Sequence, residues 1–227
     1  MTRKTAAGLG AAALLAAGCG AAGTAAHPTA SASASATPVA SADAKQVRVD
    51  AFAYVAERLY KEEASGNSGR RNAARIAKDP QLLRALESGS QAAIRAAALH
   101  QLFLPVKHVV RIRVVRGGRT LVDVGGAFVA GQESRPLVAP NGSSLGRLDV
   151  SMQDMLGLTK LEKRFTGAGI VVHGRAGHVV ASLPQLTHAT IPDSGPVEIA
   201  GKSYVARSFT RTGFGGEPLR ISVVIPG

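Results

Sequence analysis

Residues 110–124, with the sequence VRIRVVRGGRTLVDV, decide the fold. In the first half of this stretch apolar residues alternate with arginines, a two-residue period that predicts a strand with one buried and one polar face. Gly117-Gly118 separates it from a second run of strand-forming residues, Thr120–Val124. Two glycines between two such runs are a strong signal for a tight hairpin turn. We therefore expect an antiparallel hairpin that projects Arg111 and Arg113 from one face.

Upstream of the hairpin, apolar residues recur at helical spacing. Between Asp43 and Glu63 they lie three to five positions apart, which predicts a long amphipathic helix. A second helix is expected around Ile76, and another from Asp79-Pro80, where the aspartate can cap free amides and proline fits the first helical position. A further helix is predicted over residues 91–104, ended by proline.

Downstream of the hairpin the sequence predicts mainly strands. Residues 125–141 are rich in glycine and proline, and we expect them to be irregular. The predicted strands are 145–151, 169–173, 178–183, 197–199, 204–209 and 219–225, with one short helix over 152–164. Helices followed by antiparallel strands predict an α+β fold.

The N-terminus has the pattern of an export signal. Arg3 and Lys4 precede a run of small apolar residues that is too short to span a bilayer but matches a signal-peptide core. The run ends in Leu-Ala-Ala-Gly-Cys at residues 15–19, which resembles a bacterial lipobox. The resemblance implies cleavage before Cys19 and lipidation of its thiol and new amino group. An ordinary secretory signal with a chance cysteine is the alternative, but Cys19 is the one cysteine of the chain.

Composition separates a tether from a folded part. Residues 20–42 are almost entirely Ala, Ser, Thr, Pro and Gly, so they have nothing with which to form a core. We therefore expect a signal peptide over 1–18, a lipidated cysteine and tether over 19–42, and a folded domain over 43–227. The whole chain carries 27 basic and 15 acidic residues, a net charge of +12. Loss of Arg3 and Lys4 with the signal leaves +10, all of it on the predicted domain.

The order of the predicted elements, together with four stretches of sequence, resembles the extracytoplasmic Cache, or PDC, sensor domains. The stretches are Ile112–Val122, Leu145–Asp154, Gly169–Ser182 and Gly201–Ser208. The resemblance covers most of residues 43–227. It implies a PAS-like antiparallel sheet of five or six strands with a long N-terminal helix and further helices, and a role in sensing or binding a small molecule outside the membrane.

The sequence also departs from that family in two ways. Its members usually have transmembrane helices and an output domain, whereas this sequence offers no second hydrophobic span and no residues for an output. We therefore expect any signal to pass through a separate membrane protein. Neither the serine- or histidine-proline signature of citrate-type sensors nor the Tyr, Arg and Asp pattern of amino-acid sensors is present, so the resemblance assigns no ligand class.

Arginines supply the candidate ligand-binding residues. Arg111 and Arg113 share one strand face, and further arginines occur near the segment where sensors of this fold form their pocket. Because a guanidinium binds a carboxylate bidentately, we expect a small organic anion as ligand. The alternative is that alternating arginines only solvate the outer sheet face. The candidate set is Arg111, Arg113, Arg135, Arg147, Asp149, Ser151 and Arg164.

Other chemistry is less well supported by the sequence. Gly142–Gly146 fits the Gly-x-Ser-x-Gly pattern of serine hydrolases, but no helix follows it and a tight turn explains it better. His173 and His178 flank a predicted turn without the acidic or cysteine partners that a metal site needs. No cofactor motif is found. With 4% aromatic residues and no recognition motif, a nucleic-acid partner is not expected.

These observations predict a non-enzymatic, lipid-anchored protein on the outer face of the cell membrane that binds or senses a small molecule. The alternative is a cell-envelope adaptor that binds a protein or an anionic polymer through a basic face, without a small-molecule pocket. A hydrolase that uses Ser144 is a third alternative.

Overall fold

The computed structural model describes residues 38–104 and 108–227, with side chains from residue 42 onwards. The predicted signal peptide, Cys19, most of the tether and Pro105 lie outside the described residues. The first helix, α1 (Pro38–Ser65), begins within the segment that the sequence assigned to the tether and ends before Asn67. Val49, Ala53, Ala56 and Tyr60 form its buried face.

Three shorter helices follow: α2 (Asn67–Ile76), α3 (Pro80–Ser88) and α4 (Gln91–Leu102). Their ends follow the capping rules expected from the sequence. The Asp79 carboxylate accepts a 2.8 Å hydrogen bond from the backbone N–H of Leu82, and Pro80 occupies the first turn of α3. Gly89, with φ of +68°, ends α3 in the left-handed conformation.

The first sheet contains four antiparallel strands, β1 (Arg111–Arg116), β2 (Arg119–Gly125), β3 (Glu133–Val138) and β4 (Ser144–Ser151), in the order β2-β1-β4-β3. The turn between β1 and β2 has φ of +56° at Gly117 and +76° at Gly118, which is why two glycines stand there. Helices α2 to α4 cover one face of the sheet, where Ile112, Val114 and Leu148 are fully buried. We call these helices and strands lobe 1.

The second sheet contains five antiparallel strands and follows α5 (Met155–Thr166). They are β5 (Gly169–His173), β6 (Val179–Ala181), β7 (Ser194–Ile199), β8 (Lys202–Thr212) and β9 (Pro218–Pro226), in the order β6-β5-β9-β8-β7. Helices α1 and α5 pack on one face of this sheet, against Ile170, Val172 and Ile221. Leu186 and Ile191, from the segment between β6 and β7, pack on the other face. We call α1, α5 and the five strands β5 to β9, with the segments that connect them, lobe 2.

The predicted α+β class, antiparallel pairing and long N-terminal helix are confirmed. Two details differ. The strands are divided between a four-stranded and a five-stranded sheet, because two separate groups of helices each bury one set of strands. Residues 125–141, expected to be irregular, contain β3. β3 contains Pro136, and it is an edge strand, the position in a sheet where proline is tolerated.

Among the described residues, no helix combines the length and the apolar character needed to cross a membrane.

Candidate ligand-binding site

The face of the lobe 1 sheet that points away from α2 to α4 is charged. Strand pairing places Arg111 opposite Ser151 and Arg113 opposite Asp149, so the two arginines and their partners project from the same side. The period of two along each strand puts the apolar residues on the helix side. We call this surface the charged face; its residues are Arg111, Arg113, Asp123, Ser134, Arg147, Asp149 and Ser151.

Asp149 is the centre of the charged face. Its carboxylate accepts hydrogen bonds from Arg113 Nη2 at 2.8 Å, Arg147 Nε at 2.9 Å and Ser134 Oγ at 2.7 Å. The side chain is completely buried, whereas those of Arg113 and Arg147 are 18% and 55% exposed. One buried carboxylate therefore holds two guanidinium groups, of which one still faces solvent.

Opposing effects act on the pKa of Asp149. Burial alone would raise it, because the charged form loses its hydration. The hydrogen bonds from Arg147, Ser134 and Arg113 outweigh burial and hold the pKa below its ordinary value. Asp149 is therefore a carboxylate at neutral pH, and it balances only one of the two positive charges beside it.

Arg111 has its own set of partners. Its guanidinium forms a bidentate pair with Asp123, at 2.8 and 2.9 Å, and donates to the carbonyl oxygens of Gly126 and Ala127. Arg111 is thus saturated with acceptors and has a structural role. Ser151 is fully buried, and its hydroxyl donates to the Ala130 carbonyl at 3.2 Å.

A turn of lobe 2 covers part of the charged face. The guanidinium carbons of Arg111 and Arg113 lie 4.8 and 4.9 Å from the centre of the Phe214 ring. Gln132 bonds to both lobes, since its side-chain oxygen accepts from Gly215 N at 2.8 Å and from Arg113 at 3.4 Å. Cation–π contacts and this shared acceptor therefore tie the charged face to the segment that leads into β9.

The uncovered part of the charged face forms a cleft of about 580 Å³ beside the β1–β2 turn. Arg113, Arg147, Thr120 and Ser144 are among the residues that line it. The cleft is large enough for a small organic molecule. Its polar groups comprise guanidinium groups and hydroxyls, which are donors suited to a carboxylate.

No family model matches the chain, and no curated protein is detectably similar to it in sequence. Solved structures do match. The periplasmic domain of Vibrio cholerae LuxQ is 12% identical, with a TM-score of 0.53, over 79% of this chain and 100% of that one. That match, with the long N-terminal helix and the two antiparallel sheets, indicates a shared fold. The fold is Cache-like.

Two further matches have TM-scores below 0.5. An extracellular ligand-binding receptor from Desulfohalobium retbaense is 13% identical, with a TM-score of 0.41, over 77% of this chain and 40% of that one. The ligand-binding domain of the Pseudomonas aeruginosa amino-acid chemoreceptor PctC, in complex with GABA, is 16% identical, with a TM-score of 0.32, over 83% and 99% of the two chains.

The Cache-like fold brings five of the seven predicted site residues to the charged face: Arg111, Arg113, Arg147, Asp149 and Ser151. It does not bring the other two there. Arg135 is paired with Leu148 in the sheet and so projects on the helix side, where its Nε is buried without a hydrogen-bond partner among the described residues. Arg164 is exposed on α5, in lobe 2. Both residues were predicted to belong to the site because they are close to it in sequence, and that prediction was wrong.

Several residues in or beside the charged face were not predicted from the sequence. Asp123 and Ser134 are found by continuing the two-residue period into β2 and β3. Gln132 and Phe214 come from irregular segments and have no periodic signal, so only the folded structure places them beside Arg113.

Ser144 and His178 were candidates for other chemistry, and the partners that a hydrolase or a metal site needs are not found beside them among the described residues. Ser144 is the first residue of β4, and no base hydrogen-bonds to it in the described part of the chain. The His178 ring lies 5.3 Å from that of Phe128, and its Nδ1 is 4.0 Å from the Glu217 carboxylate. Within residues 38–104 and 108–227, no three His, Cys, Asp or Glu side chains are grouped to hold a metal ion.

Proposed function

We propose that this chain is an extracytoplasmic binding or sensing module that takes a small organic anion in the cleft of the charged face. The position of the Arg147 guanidinium is the observation that carries the proposal. Its Nε and Nη2 bond to Asp149, while its side chain stays 55% exposed and lines the cleft. Asp149 thus orients a guanidinium whose outer edge points to solvent, as a carboxylate site requires.

Charge on the charged face favours the same ligand. Three guanidinium groups, those of Arg111, Arg113 and Arg147, face two carboxylates, those of Asp123 and Asp149. One positive charge is left over beside the cleft, and the hydroxyls of Thr120 and Ser144 add neutral donors. A ligand with one carboxylate would balance this charge.

The proposal extends to the location of the protein. A lipid on Cys19 would anchor the chain to the outer face of the cell membrane, and the segment up to residue 42 would act as a tether for the folded domain at 43–227. Binding would then be communicated to a separate membrane signalling protein. Mass spectrometry of the membrane fraction tests the anchor, because a diacylated Cys19 gives a defined mass increase that Cys19→Ala abolishes.

A thermal-shift screen of organic acids on the full chain tests the ligand class. A ligand at one hundred times its dissociation constant stabilises the folded state by about 2.7 kcal/mol, which raises the melting temperature measurably. We expect at least one small carboxylate to do so and the matching amide or alcohol to have no effect. If carboxylates and their neutral analogues behave alike across a broad library, the proposal is wrong.

A specific observation supports a second candidate, an envelope adaptor. The helical layer of lobe 1 exposes five basic residues but only one acidic residue, Glu87. The five are Arg70, Arg71, Lys78, Arg84 and Arg95. Such a surface suits an anionic polymer or an acidic protein. Retention of the protein on an anionic polymer at rising salt separates the two functions, since surface charge is screened over about 8 Å at physiological ionic strength.

A further inference from the structure

An apolar segment lies at the outer edge of the lobe 1 sheet, in the edge strand β3 and just beyond its end. The segment is Pro-Leu-Val-Ala-Pro, residues 136–140. Leu137 and Ala139 are buried in the core of lobe 1. The alternate residues are exposed: Pro136, Val138 and Pro140. Val138 alone is 46% exposed, so the segment leaves apolar surface uncovered along this edge.

A groove of about 520 Å³ lies between this segment and the helices of lobe 1. The α2–α3 region contributes four residues to its lining: Ala74, Ala77, Lys78 and Leu83. β3 and the residues after it contribute four more: Arg135, Pro136, Val138 and Pro140. All of these except the lysine and the arginine are apolar. Small-molecule sites in proteins have volumes of about 300–1,000 Å³, so the groove is large enough for a small ligand with an apolar part.

Arg135 is the first of the two cations that line the groove. It pairs with Leu148 across the sheet and therefore projects on the helix side, opposite to the charged face. Its Nε is buried without a hydrogen-bond partner, and its side chain forms no ion pair, among the residues that the structure describes. Because an unpaired buried donor is costly, a ligand oxygen that accepts from this guanidinium is favoured.

Lys78 is the second cation of the groove. It is exposed and forms no ion pair within the described part of the chain. The acids nearest in sequence to the two cations, Asp79 and Glu133, do not line the groove, and the Asp79 carboxylate caps α3. The groove thus combines an apolar lining with two positive charges that no carboxylate of the described residues pairs with.

We infer that this groove is a second binding site, for an amphiphilic carboxylate with a short apolar chain. Arg135 and Lys78 bind the carboxylate, and the apolar residues cover the chain. A partner β-strand fits the edge less well, because proline has no N–H to donate and this segment has prolines at 136 and 140. The groove shares no lining residue with the cleft of the charged face, so it goes beyond the proposed function.

Calorimetric titration of the full chain with sodium octanoate tests the inference. Sodium acetate, which lacks the chain, and octanol, which lacks the charge, are the matched ligands. Each buried methylene group strengthens binding about fourfold, so we expect octanoate to bind roughly one hundredfold more tightly than acetate, or better. Hydrogen bonds to a charged group contribute about tenfold or more, which is the expected advantage over octanol. The inference is overturned if octanoate gives no saturable heat, or if octanol binds as tightly.

Variants of the lining locate the octanoate. Arg135→Gln should reduce its affinity about tenfold or more, and Val138→Asn, at an exposed position, several-fold. Should Arg135→Gln fail to fold, Lys78→Gln decides, with an expected loss of several-fold. Arg84→Gln is the matched control, because Arg84 is an exposed arginine of α3 that does not line the groove, and it should leave the affinity unchanged. Undiminished affinity in the lining variants overturns the inference.

Arg147→Gln separates the groove from the charged face. We expect this variant to bind octanoate as tightly as the parent does. If affinity falls in Arg147→Gln but not in Arg135→Gln, octanoate binds at the charged face, so this inference is wrong while the proposed function stands. If octanoate binds in the groove while no compact carboxylate stabilises the chain, the proposed function is wrong and the inference stands.

Discussion

The buried Asp149 carboxylate of β4 accepts a 2.8 Å hydrogen bond from the Arg113 guanidinium of β1. The same carboxylate binds Arg147, which lines the cleft, while Arg113 also contacts Phe214 of lobe 2. Asp149 therefore connects the proposed ligand-binding arginine with the contact between the lobes. Asp149 is thus the residue shared by the cleft and by the contact with lobe 2.

Asp149→Asn should destabilise the domain by about 3 kcal/mol. Removing one partner of a buried ion pair leaves a poorly solvated charge, which costs about 3–5 kcal/mol, and the exposure of Arg147 favours the lower end of that range. Urea unfolding followed by circular dichroism measures the difference. Asp123→Asn is the matched control, since the Arg111–Asp123 pair is partly exposed and should contribute about 1 kcal/mol or less. Equal losses in the two variants would contradict this account of Asp149.

Phe214→Leu should cost about 1 kcal/mol of unfolding free energy. Leucine keeps most of the buried apolar volume but has no ring face for Arg111 and Arg113, and cation–π contacts contribute about 0.5–1 kcal/mol each. Phe214→Ala also leaves a cavity at a position that is 6% exposed, with a loss of about 3 kcal/mol or more. The same urea titrations measure both. A leucine variant as stable as the parent would show that the two cation–π contacts contribute nothing.

Glu162→Gln should change how stability depends on pH. Glu162 of α5 is fully buried, and neither carboxylate oxygen has a hydrogen-bond partner in the described part of the chain. Burial raises its pKa from 4.5 to about 8. The folded state thus holds a proton that the unfolded state releases above about pH 4.5. The stabilisation is complete below that pH and is lost as pH rises towards 8, by on the order of a few kcal/mol.

Unfolding free energies of the parent and of Glu162→Gln, measured from pH 5 to pH 8, check this sign. We expect the parent to lose stability with rising pH and the glutamine variant to lose much less. Glu198→Gln removes an exposed carboxylate and should keep the slope of the parent. A parent whose stability rises with pH over this range would be inconsistent with a buried, protonated Glu162.

The sequence predicted the parts of the fold that repeat with a regular period. The alternation in residues 110–124 predicted that Arg111 and Arg113 share one side of their strand. That Arg147, Asp149 and Ser151 lie on the same face follows from the pairing of β1 with β4. The alternation did not predict the division into two sheets, because periodicity identifies strands and faces but not which strands pair. Phe214 and Gln132 reach Arg113 from irregular segments, and such contacts depend on the packing of both lobes.

The two site residues that were misplaced, Arg135 and Arg164, show the limit of sequence proximity. Arg135 lies one residue from Ser134, yet the period of two turns it to the opposite side of the sheet. That consequence could not be drawn while β3 was interpreted as a loop. Arg164 follows β4 closely in sequence, but α5 packs against α1 and β5 and so belongs to lobe 2.

Calorimetric titration of the full chain with the most stabilising organic acid, before and after Arg147→Gln, tests the central claim most directly. The glutamine keeps hydrogen-bonding groups but removes the charge of Arg147 from the cleft. Arg164→Gln removes one exposed arginine from lobe 2 and controls for net charge. We predict at least a tenfold loss of affinity in Arg147→Gln and none in Arg164→Gln. Equal affinity in the parent and in Arg147→Gln would contradict binding at the charged face.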